Sequence, residues 1–363
     1  ESVSRRKLQH EVQDLRGVVR VYCRTTAPTD SNAAKLMSHP SQETLLLHRG
    51  KNVGDLTPLS YDFDRVFDSQ ASQDDLYAEL EDVCLGVLDG YNVCILAYGQ
   101  SGTGKTRTIL GDVKNHGMQL QAMRQLFSIA DHRSDGIQDT FTLTIVEVCN
   151  ERLTDLVAGT PTGDARGQLE IRSDVHGDTI IQGAVAVQVC NLEEVVCVWK
   201  ECLENSEARS MDCSHVIATI KVASKNVATG LGTVGRLQFV DFAGADLTPV
   251  RSNSSRKSSP LQDDRARSPG SSIDEWRFVN RSLVTLADVV TARSQFLQSV
   301  PYRNSTITHL LRDSLEGDTK VLLIACVSSE PKDLLETIST LRFASQMRRV
   351  HVGVATKHSL TPP

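Results

Sequence analysis

Long apolar runs and the marks of secretion are missing from this sequence. The longest uninterrupted apolar stretch covers only residues 321–327, whereas a helix that spans a bilayer needs roughly 20 apolar residues. The first residues, Glu1 to Lys7, lack the apolar stretch of a signal peptide. We therefore expect a soluble, unsecreted protein. Because the first residue is Glu and not Met, we also expect a piece of a longer protein.

Cysteine pairs and an excess of positive charge are also absent. The nine cysteines include no Cys-x-x-Cys pair, and the loose group Cys190, Cys197, Cys202 and Cys213 does not have the spacing of a zinc site. We expect reduced thiols, as in the cytosol or nucleus. With 39 Lys and Arg against 45 Asp and Glu, the net charge is −6, so we expect neither nucleic acid nor a membrane as partner.

The chain does contain enough apolar material for a large folded domain. Of its 363 residues 40% are hydrophobic, which excludes a disordered chain or a small disulfide scaffold. Apolar patterns predict strands at residues 18–24, 61–67, 93–98, 140–148, 178–189, 215–224, 236–242 and 320–327. Helical spacing predicts helices at residues 74–88, 192–203, 276–291, 303–311 and 333–349. This mixture predicts one α/β domain with helices on both faces of its sheet.

The beginning of the chain has heptad spacing. Leu8, Val12, Leu15 and Val19 follow the seam of a coiled coil and run directly into the first predicted strand. Two interpretations are compatible with this short pattern. Either a helical stalk enters the domain here, or one amphipathic helix packs on its own domain.

A second unusual segment covers residues 248–272. It consists mostly of Ser, Arg, Pro and Asp, with more basic than acidic residues, and cannot bury a core. We predict a disordered, basic loop. It is either a surface insertion without function or a phosphorylatable tether to an acidic surface.

The most specific motif is the glycine-rich loop at residues 99–106. Gly99-Gln100-Ser101-Gly102-Thr103-Gly104-Lys105-Thr106 fits the pattern G-x-x-x-x-G-K-[ST], after a predicted buried strand and before a helical segment. In such a loop, backbone N–H groups surround phosphates, and here Lys105 would reach the terminal phosphates. The Thr106 hydroxyl is placed to hold Mg²⁺. The sequence therefore predicts a nucleotide site.

An acidic residue closes another predicted strand. Asp241 ends the run at residues 237–241 and is followed by Phe242-Ala243-Gly244. Asp241 is the predicted carboxylate beside the metal, with a helix or turn cap as the alternative. The backbone N–H of Gly244 is predicted to sense a terminal phosphate and to convert this into a loop movement.

With these motifs in place, the sequence resembles a kinesin motor domain over nearly its whole length. Matching motifs stand in the family's order at residues 61–68, 90–100, 241–244 (second switch), 279–283 (relay helix), 300–305 (microtubule-facing segment) and 339–344 (closing helix). The resemblance implies a P-loop NTPase fold with a central, mostly parallel twisted sheet and helices on both faces. It also implies ATP and Mg²⁺ as cofactors and microtubules as partner.

The start of the domain resembles one kinesin subclass. Residues 14–24 are similar to the neck of kinesins whose motor lies at the C-terminus and moves toward microtubule minus ends. This implies the end of a coiled-coil stalk at residues 1–17, a motor domain at 18–353 and a flexible tail at 354–363. It also implies a homodimer or heterodimer formed through an upstream coiled coil.

The first switch departs from the family's pattern. Kinesins carry Asn-x-x-Ser-Ser-Arg-Ser-His there, whereas residues 208–215 read Ala-Arg-Ser-Met-Asp-Cys-Ser-His. Both inner serines and the arginine that pairs with the second switch are replaced. Arg209 and Ser210 are the candidates to substitute for them, and His215 is predicted to be structural.

The second switch departs as well. Ala245-Asp246 replaces the family's Ser-Glu, so the acidic side chain is one methylene shorter and Cys213 cannot pair with it. Phosphoryl transfer depends on positioning and charge stabilisation. We therefore expect hydrolysis to be slowed more than ATP binding is weakened.

The base and track sides also differ from the family. Arg24 alone remains of the family's Arg-x-Arg-Pro, and Arg107 stands where an aromatic ring or His often stacks on the base. Thr306 replaces a lysine of the microtubule-facing segment. The remaining candidates for microtubule binding are Arg281, Arg303, Arg312 and the basic residues of 248–272; merely solvated arginines are the alternative.

Two hypotheses follow for function. The first is a microtubule-stimulated Mg-ATPase motor of the cytoplasmic cytoskeleton, with the spindle or centrosome as candidate locations. Its catalytic residues would be Asp241, Gly244, Asp246, Arg209 and Ser210. The second is a tether or partner subunit that binds ATP without hydrolysing it.

Overall fold

A central sheet of ten strands organises the described part of the chain. The computed structural model describes residues 8, 12–13, 17–28, 36–48, 57–112, 114–158, 169–173, 179–205, 213–247 and 271–360. The strands are β1 (Val19–Thr25), β2 (Met37–Ser38), β3 (Thr44–Leu47), β4 (Leu59–Asp62), β5 (Arg65–Phe67), β6 (Asn92–Tyr98), β7 (Ile137–Cys149), β8 (Arg152–Asp155), β9 (Glu170–Ser173), β10 (Thr179–Gln182), β11 (Val187–Val189), β12 (His215–Asn226), β13 (Gly232–Asp241), β14 (Lys320–Val327) and β15 (Ser359–Leu360).

Helices connect and cover these strands. They are α1 (Gln73–Ala78), α2 (Glu81–Leu85), α3 (Lys105–Ile109), α4 (Met118–His132), α5 (Leu192–Asn205), α6 (Ser271–Ser294), α7 (Thr306–Leu310), α8 (Arg312–Glu316) and α9 (Leu334–Met347). Short 3₁₀ helices cover Gly86–Asp89, Tyr302–Asn304 and Pro331–Asp333. Within the described ranges, no helix combines the length and apolar character needed to cross a membrane.

The sheet is mixed, in the order β11-β7-β12-β13-β6-β14-β1-β5. Neighbours from β13 to β5 run parallel, whereas β11, β7, β12 and β13 pair antiparallel. The predicted α/β class is confirmed, but parallel pairing holds for only one half of the sheet. Only residues 227–231 connect β12 to β13, and so short a connection joins antiparallel strands.

Hydrophobic clusters cover both faces of the sheet. Every residue of β6 and of β14 is buried, as in parallel strands packed between two layers of helices. Ile95 belongs to a cluster that also contains residues of α1, α2, α4 and α5. The next residue, Leu96, belongs to a second cluster that contains residues of α6, α7 and α9. The strand that leads into the glycine-rich loop is therefore held from both sides.

Four predicted elements are interrupted. The helix predicted at residues 303–311 divides into the 3₁₀ helix Tyr302–Asn304 and α7, because the backbone of Ser305 between them is extended. Residues 61–67 divide into β4 and β5, which lie in different sheets, because β4 pairs with β3 whereas β5 pairs with β1. Phe63 between them is fully buried. Residues 74–88 divide into α1, α2 and a 3₁₀ turn. Residues 178–189 divide into β10 and β11 at Gly183, which has a φ of 90°.

The described ends of the chain attach to the starts of central strands. Gln13 accepts a hydrogen bond from Lys320 Nζ at 2.8 Å, and β15 pairs with β13 beyond the start of β6. Part of the segment predicted as a flexible tail is thus held against the sheet. The predicted basic loop lies outside the described residues up to residue 270, and α6 begins at Ser271.

Candidate nucleotide site

The glycine-rich loop lies between β6 and α3, in the predicted context. Gly102 and Gly104 have φ of 78° and 85°, a conformation that residues with a side chain rarely adopt. A Cβ added to either would meet no atom within 4 Å. The loop therefore presents bare backbone to an open space, which fits a polyphosphate bound by N–H groups.

Lys105 and Thr106 begin α3, and their side chains bind different partners. The Lys105 side chain is buried, and its Nζ donates to Gln100 O at 2.9 Å. Thr106 Oγ1 donates to Asp241 Oδ2 at 2.5 Å. Asp241 reaches this position because β13 runs parallel to β6, with Asp241 opposite Ala97.

This hydroxyl and carboxylate suit Mg²⁺. Magnesium prefers oxygen ligands and is usually held by one or two protein groups together with phosphates. Among the described residues no group of three or more His, Cys, Asp and Glu side chains could hold a metal ion. The Thr106 hydroxyl and the Asp241 carboxylate fit this pattern of one or two protein oxygens beside bound phosphates.

The second-switch segment lies directly on the loop. Ala245 N donates to Gly99 O at 2.9 Å. A Cβ on Gly244 would lie 2.0 Å from Ser101 Oγ, so a side chain there would displace the Ser101 hydroxyl. Asp246 accepts from Ser101 N at 3.1 Å and from Ser101 Oγ at 2.5 Å. The structure thus places Asp246 against the loop, a contact that sequence reasoning did not predict.

His215 connects this segment to α6. Ala243 N donates to His215 Nδ1 at 3.1 Å, and Nε2 lies 2.7 Å from Ser282 Oγ. Ser282 Oγ itself donates to Val279 O, so Nε2 carries the proton that binds Ser282. Burial, and secondarily the charge of Lys105, lowers the pKa of His215 to about 3. The imidazole is therefore neutral and acts as a structural bridge.

The predicted base-side arginines are positioned differently from each other. Arg24 Nη1 donates to Gln73 Oε1 at 2.7 Å and to Thr108 Oγ1 at 2.8 Å, and burial lowers the pKa of Arg24. Gln73 Nε2 donates to Arg107 O at 2.5 Å, while the Arg107 side chain is exposed. Gln73 and Thr108 were missed because nothing in their local sequence marks them.

The first switch is described from Cys213 onward. Ser214 Oγ donates to the fully buried Glu147 at 2.7 Å. Sequence reasoning also missed this pair, which joins β7 to the start of β12. Arg209 and Ser210 lie outside the described residues.

The three predicted track-side arginines are also in different environments. Arg281 on α6 and Arg303 in the 3₁₀ turn are exposed, and neither has an acidic partner among the described residues. Arg312 Nε, by contrast, lies 2.7 Å from Glu316 Oε2.

Together, the fold and the site define a P-loop nucleotide-binding domain with a switch segment packed on the loop. The family model for the kinesin motor domain matches residues 20–350. This chain therefore belongs to the kinesin family, as its motifs predicted.

Relatives support the predicted subclass. Kinesin-like protein KIN-14R of Arabidopsis thaliana is 34% identical over 98% of this chain and 32% of its own length. Kinesin-like protein KIN-14E of Oryza sativa subsp. japonica is 33% identical, with the same coverage. The chain spans about a third of the length of these curated relatives.

Solved structures of kinesin motor domains have the same fold as this chain. The C-terminal motor and motor homology domain of Kar3Vik1, fused to a synthetic heterodimeric coiled coil, matches with a TM-score of 0.78 at 29% identity, covering 96% of this chain and 89% of that one. A fast kinesin matches with a TM-score of 0.78 at 25% identity, covering 95% of both chains.

Proposed function

We propose that this chain is a motor domain that binds Mg-ATP, hydrolyses it and couples hydrolysis to microtubule binding. Kinesin motor domains bind nucleotide with Mg²⁺, and the family binds microtubules. The observation that carries the proposal is the contact of Thr106 with Asp241 beside the open loop.

Each part of the site has a role in this proposal. Residues 99–106 hold the phosphates, Thr106 and Asp241 hold Mg²⁺, and Arg24 and Arg107 lie on the base side. Bound Mg²⁺ neutralises the charge that develops on the phosphates. Lys105 stabilises the same charge from the loop.

The second switch connects the nucleotide site to α6, the helix proposed to contact the microtubule. Gly244 and Asp246 contact Ser101, and Ala243 is joined through His215 to Ser282 on α6. A change at the phosphates can thus reach α6, which carries Arg281. Arg209 and Ser210 are proposed to complete the site from the first switch.

Microtubule binding is proposed to use Arg281, Arg303 and Arg312. Microtubule surfaces are acidic, so these contacts weaken as salt rises. The kinesin family implies association with the cytoskeleton; a spindle or centrosome location is a finer proposal.

Dimerisation through a stalk is supported by the first residues. Leu8 and Val12 are 61% and 48% exposed, whereas Gln13 is 4% exposed and faces the domain. Leu8 and Val12 thus point away from the domain, which favours a stalk over a helix packed on it. Val19, the last residue of the heptad pattern, instead lies in β1 and packs on the core. A homodimer and a heterodimer are both compatible with such a stalk, and we propose movement toward minus ends from the subclass.

The test is phosphate release in Mg-ATP at low salt, with and without taxol-stabilised microtubules, beside a Lys105→Ala control. We expect turnover that microtubules stimulate and that Lys105→Ala abolishes. ATP binding and microtubule co-sedimentation without turnover would instead establish the non-hydrolysing tether. Absence of nucleotide binding would refute both.

A further inference from the structure

Asp246 makes a bidentate contact with the third residue of the glycine-rich loop. One carboxylate oxygen accepts from the backbone N–H of Ser101 at 3.1 Å, and the other accepts from Ser101 Oγ at 2.5 Å. Two acceptors of one anionic group thus meet an N–H and an O–H of the loop. Phosphate oxygens use donors of this kind in the same type of loop.

The neighbouring contacts hold the carboxylate in this place. Ala245 N binds Gly99 O, and Gly244 is packed so closely that a Cβ would lie 2.0 Å from Ser101 Oγ and 2.5 Å from Asp246 Oδ2. The segment cannot move away from the loop without breaking the Ser101 contacts. Asp246 is therefore fixed between the two elements that would enclose a terminal phosphate.

We propose that Asp246 is a specificity-determining residue that favours nucleoside diphosphate over triphosphate. Its carboxylate occupies the donors of Ser101 that a terminal phosphate would use. A triphosphate must displace this carboxylate or approach it as a like charge, whereas a diphosphate is not opposed in this way. This inference rests on the proposed function, because it requires a nucleotide in the loop.

The length of the side chain is part of the argument. Residue 246 is Asp and not the longer Glu, and its carboxylate contacts Ser101. A glutamate at this position would place its carboxylate one methylene further from the backbone.

The test compares the affinities of the intact chain for Mg-ADP and for Mg-AMP-PNP, a triphosphate that is not hydrolysed. Asp246→Asn keeps the size of the side chain and removes its charge. We expect its AMP-PNP to ADP affinity ratio to rise by about tenfold over wild type, the scale of one charge-assisted contact. The matched control Asp74→Asn removes an exposed charge on α1 and should leave the ratio unchanged.

A second variant keeps the inference testable if Asp246→Asn does not fold. Asp246→Ala also removes the charge and should raise the ratio in the same direction. If both variants fold and bind ADP but keep the wild-type ratio, the inference is wrong. If the wild type binds neither nucleotide, the proposed function is wrong. This result differs from an unchanged affinity ratio, which contradicts only the inference about Asp246.

Discussion

At the scale of single residues, the buried imidazole of His215 gives the fold a dependence on pH. Its pKa is lowered from 6.5 to about 3, chiefly because burial disfavours the charged form. Between pH 6.5 and about pH 3, His215 therefore binds a proton in the unfolded chain but not in the folded chain. The free energy of unfolding falls as pH decreases from 6.5 toward 3, and above pH 6.5 this group has no effect.

We predict that urea unfolding of the wild type shows this loss, at most about 1.4 kcal/mol per pH unit from this residue. His215→Asn has no group that titrates in this range, so its free energy of unfolding should fall less steeply between pH 6.5 and pH 4. Equal pH slopes for the two proteins would contradict the assignment.

Some site residues could be predicted from a local sequence motif, whereas others meet only in the folded chain. Residues 99–106 and Asp241 could be predicted because a motif fixes their spacing and strand ends bring them together. The contacts of Asp246 with Ser101 and of His215 with Ala243 join segments far apart in sequence. No spacing rule describes such contacts, so only the folded chain reveals them.

At the scale of elements, an ion pair within a helix reduces the charge that an arginine can offer to the acidic surface of a microtubule. Arg303 is exposed in the 3₁₀ turn before α7, whereas Arg312 at the start of α8 is paired with Glu316 one turn later. This hydrogen bond raises the pKa of Arg312. The charge of Arg312 is thus already partly neutralised.

We predict that Arg303→Ala weakens microtubule binding by about threefold or more, and that Arg312→Ala has a smaller effect. Glu316→Gln should strengthen binding, because it leaves the charge of Arg312 unneutralised. Co-sedimentation at low salt with AMP-PNP measures all three. A larger loss for Arg312→Ala than for Arg303→Ala would show that the Glu316 pair opens on the track.

Strand and helix positions were easiest to predict where burial is continuous. β14 matches its predicted range because every residue is apolar or buried between two layers. The break at Phe63 and the mixed sheet could not be predicted, because they depend on which strand each segment meets in space. Residues 118–132 were not predicted as a helix, although α4 buries residues such as Met118 and Met123.

At the scale of the whole molecule, the nucleotide loop and the described chain ends lie at opposite ends of β6. Tyr98 ends the strand before the loop, and Asn92 at its start lies 3.1 Å from His358. At about 3.3 Å per residue, β6 separates the two regions by roughly 20 Å. Changes at the chain end therefore act on stability and not directly on nucleotide contacts.

The C-terminal segment tests this separation. His358 donates its N–H to Gly90 O at 2.9 Å, accepts from Val234 N at 3.1 Å, and lies 2.9 Å from Asp318. Removing residues 354–363 breaks these contacts and exposes the start of β13. We predict a loss of about 1–3 kcal/mol in the free energy of unfolding, with ADP affinity within about twofold of wild type. Removing only residues 361–363 is the matched control and should change neither. Thermal unfolding and ADP titration measure both quantities, and a truncated protein that stays folded but loses ADP would show that the chain end acts on the site through β6.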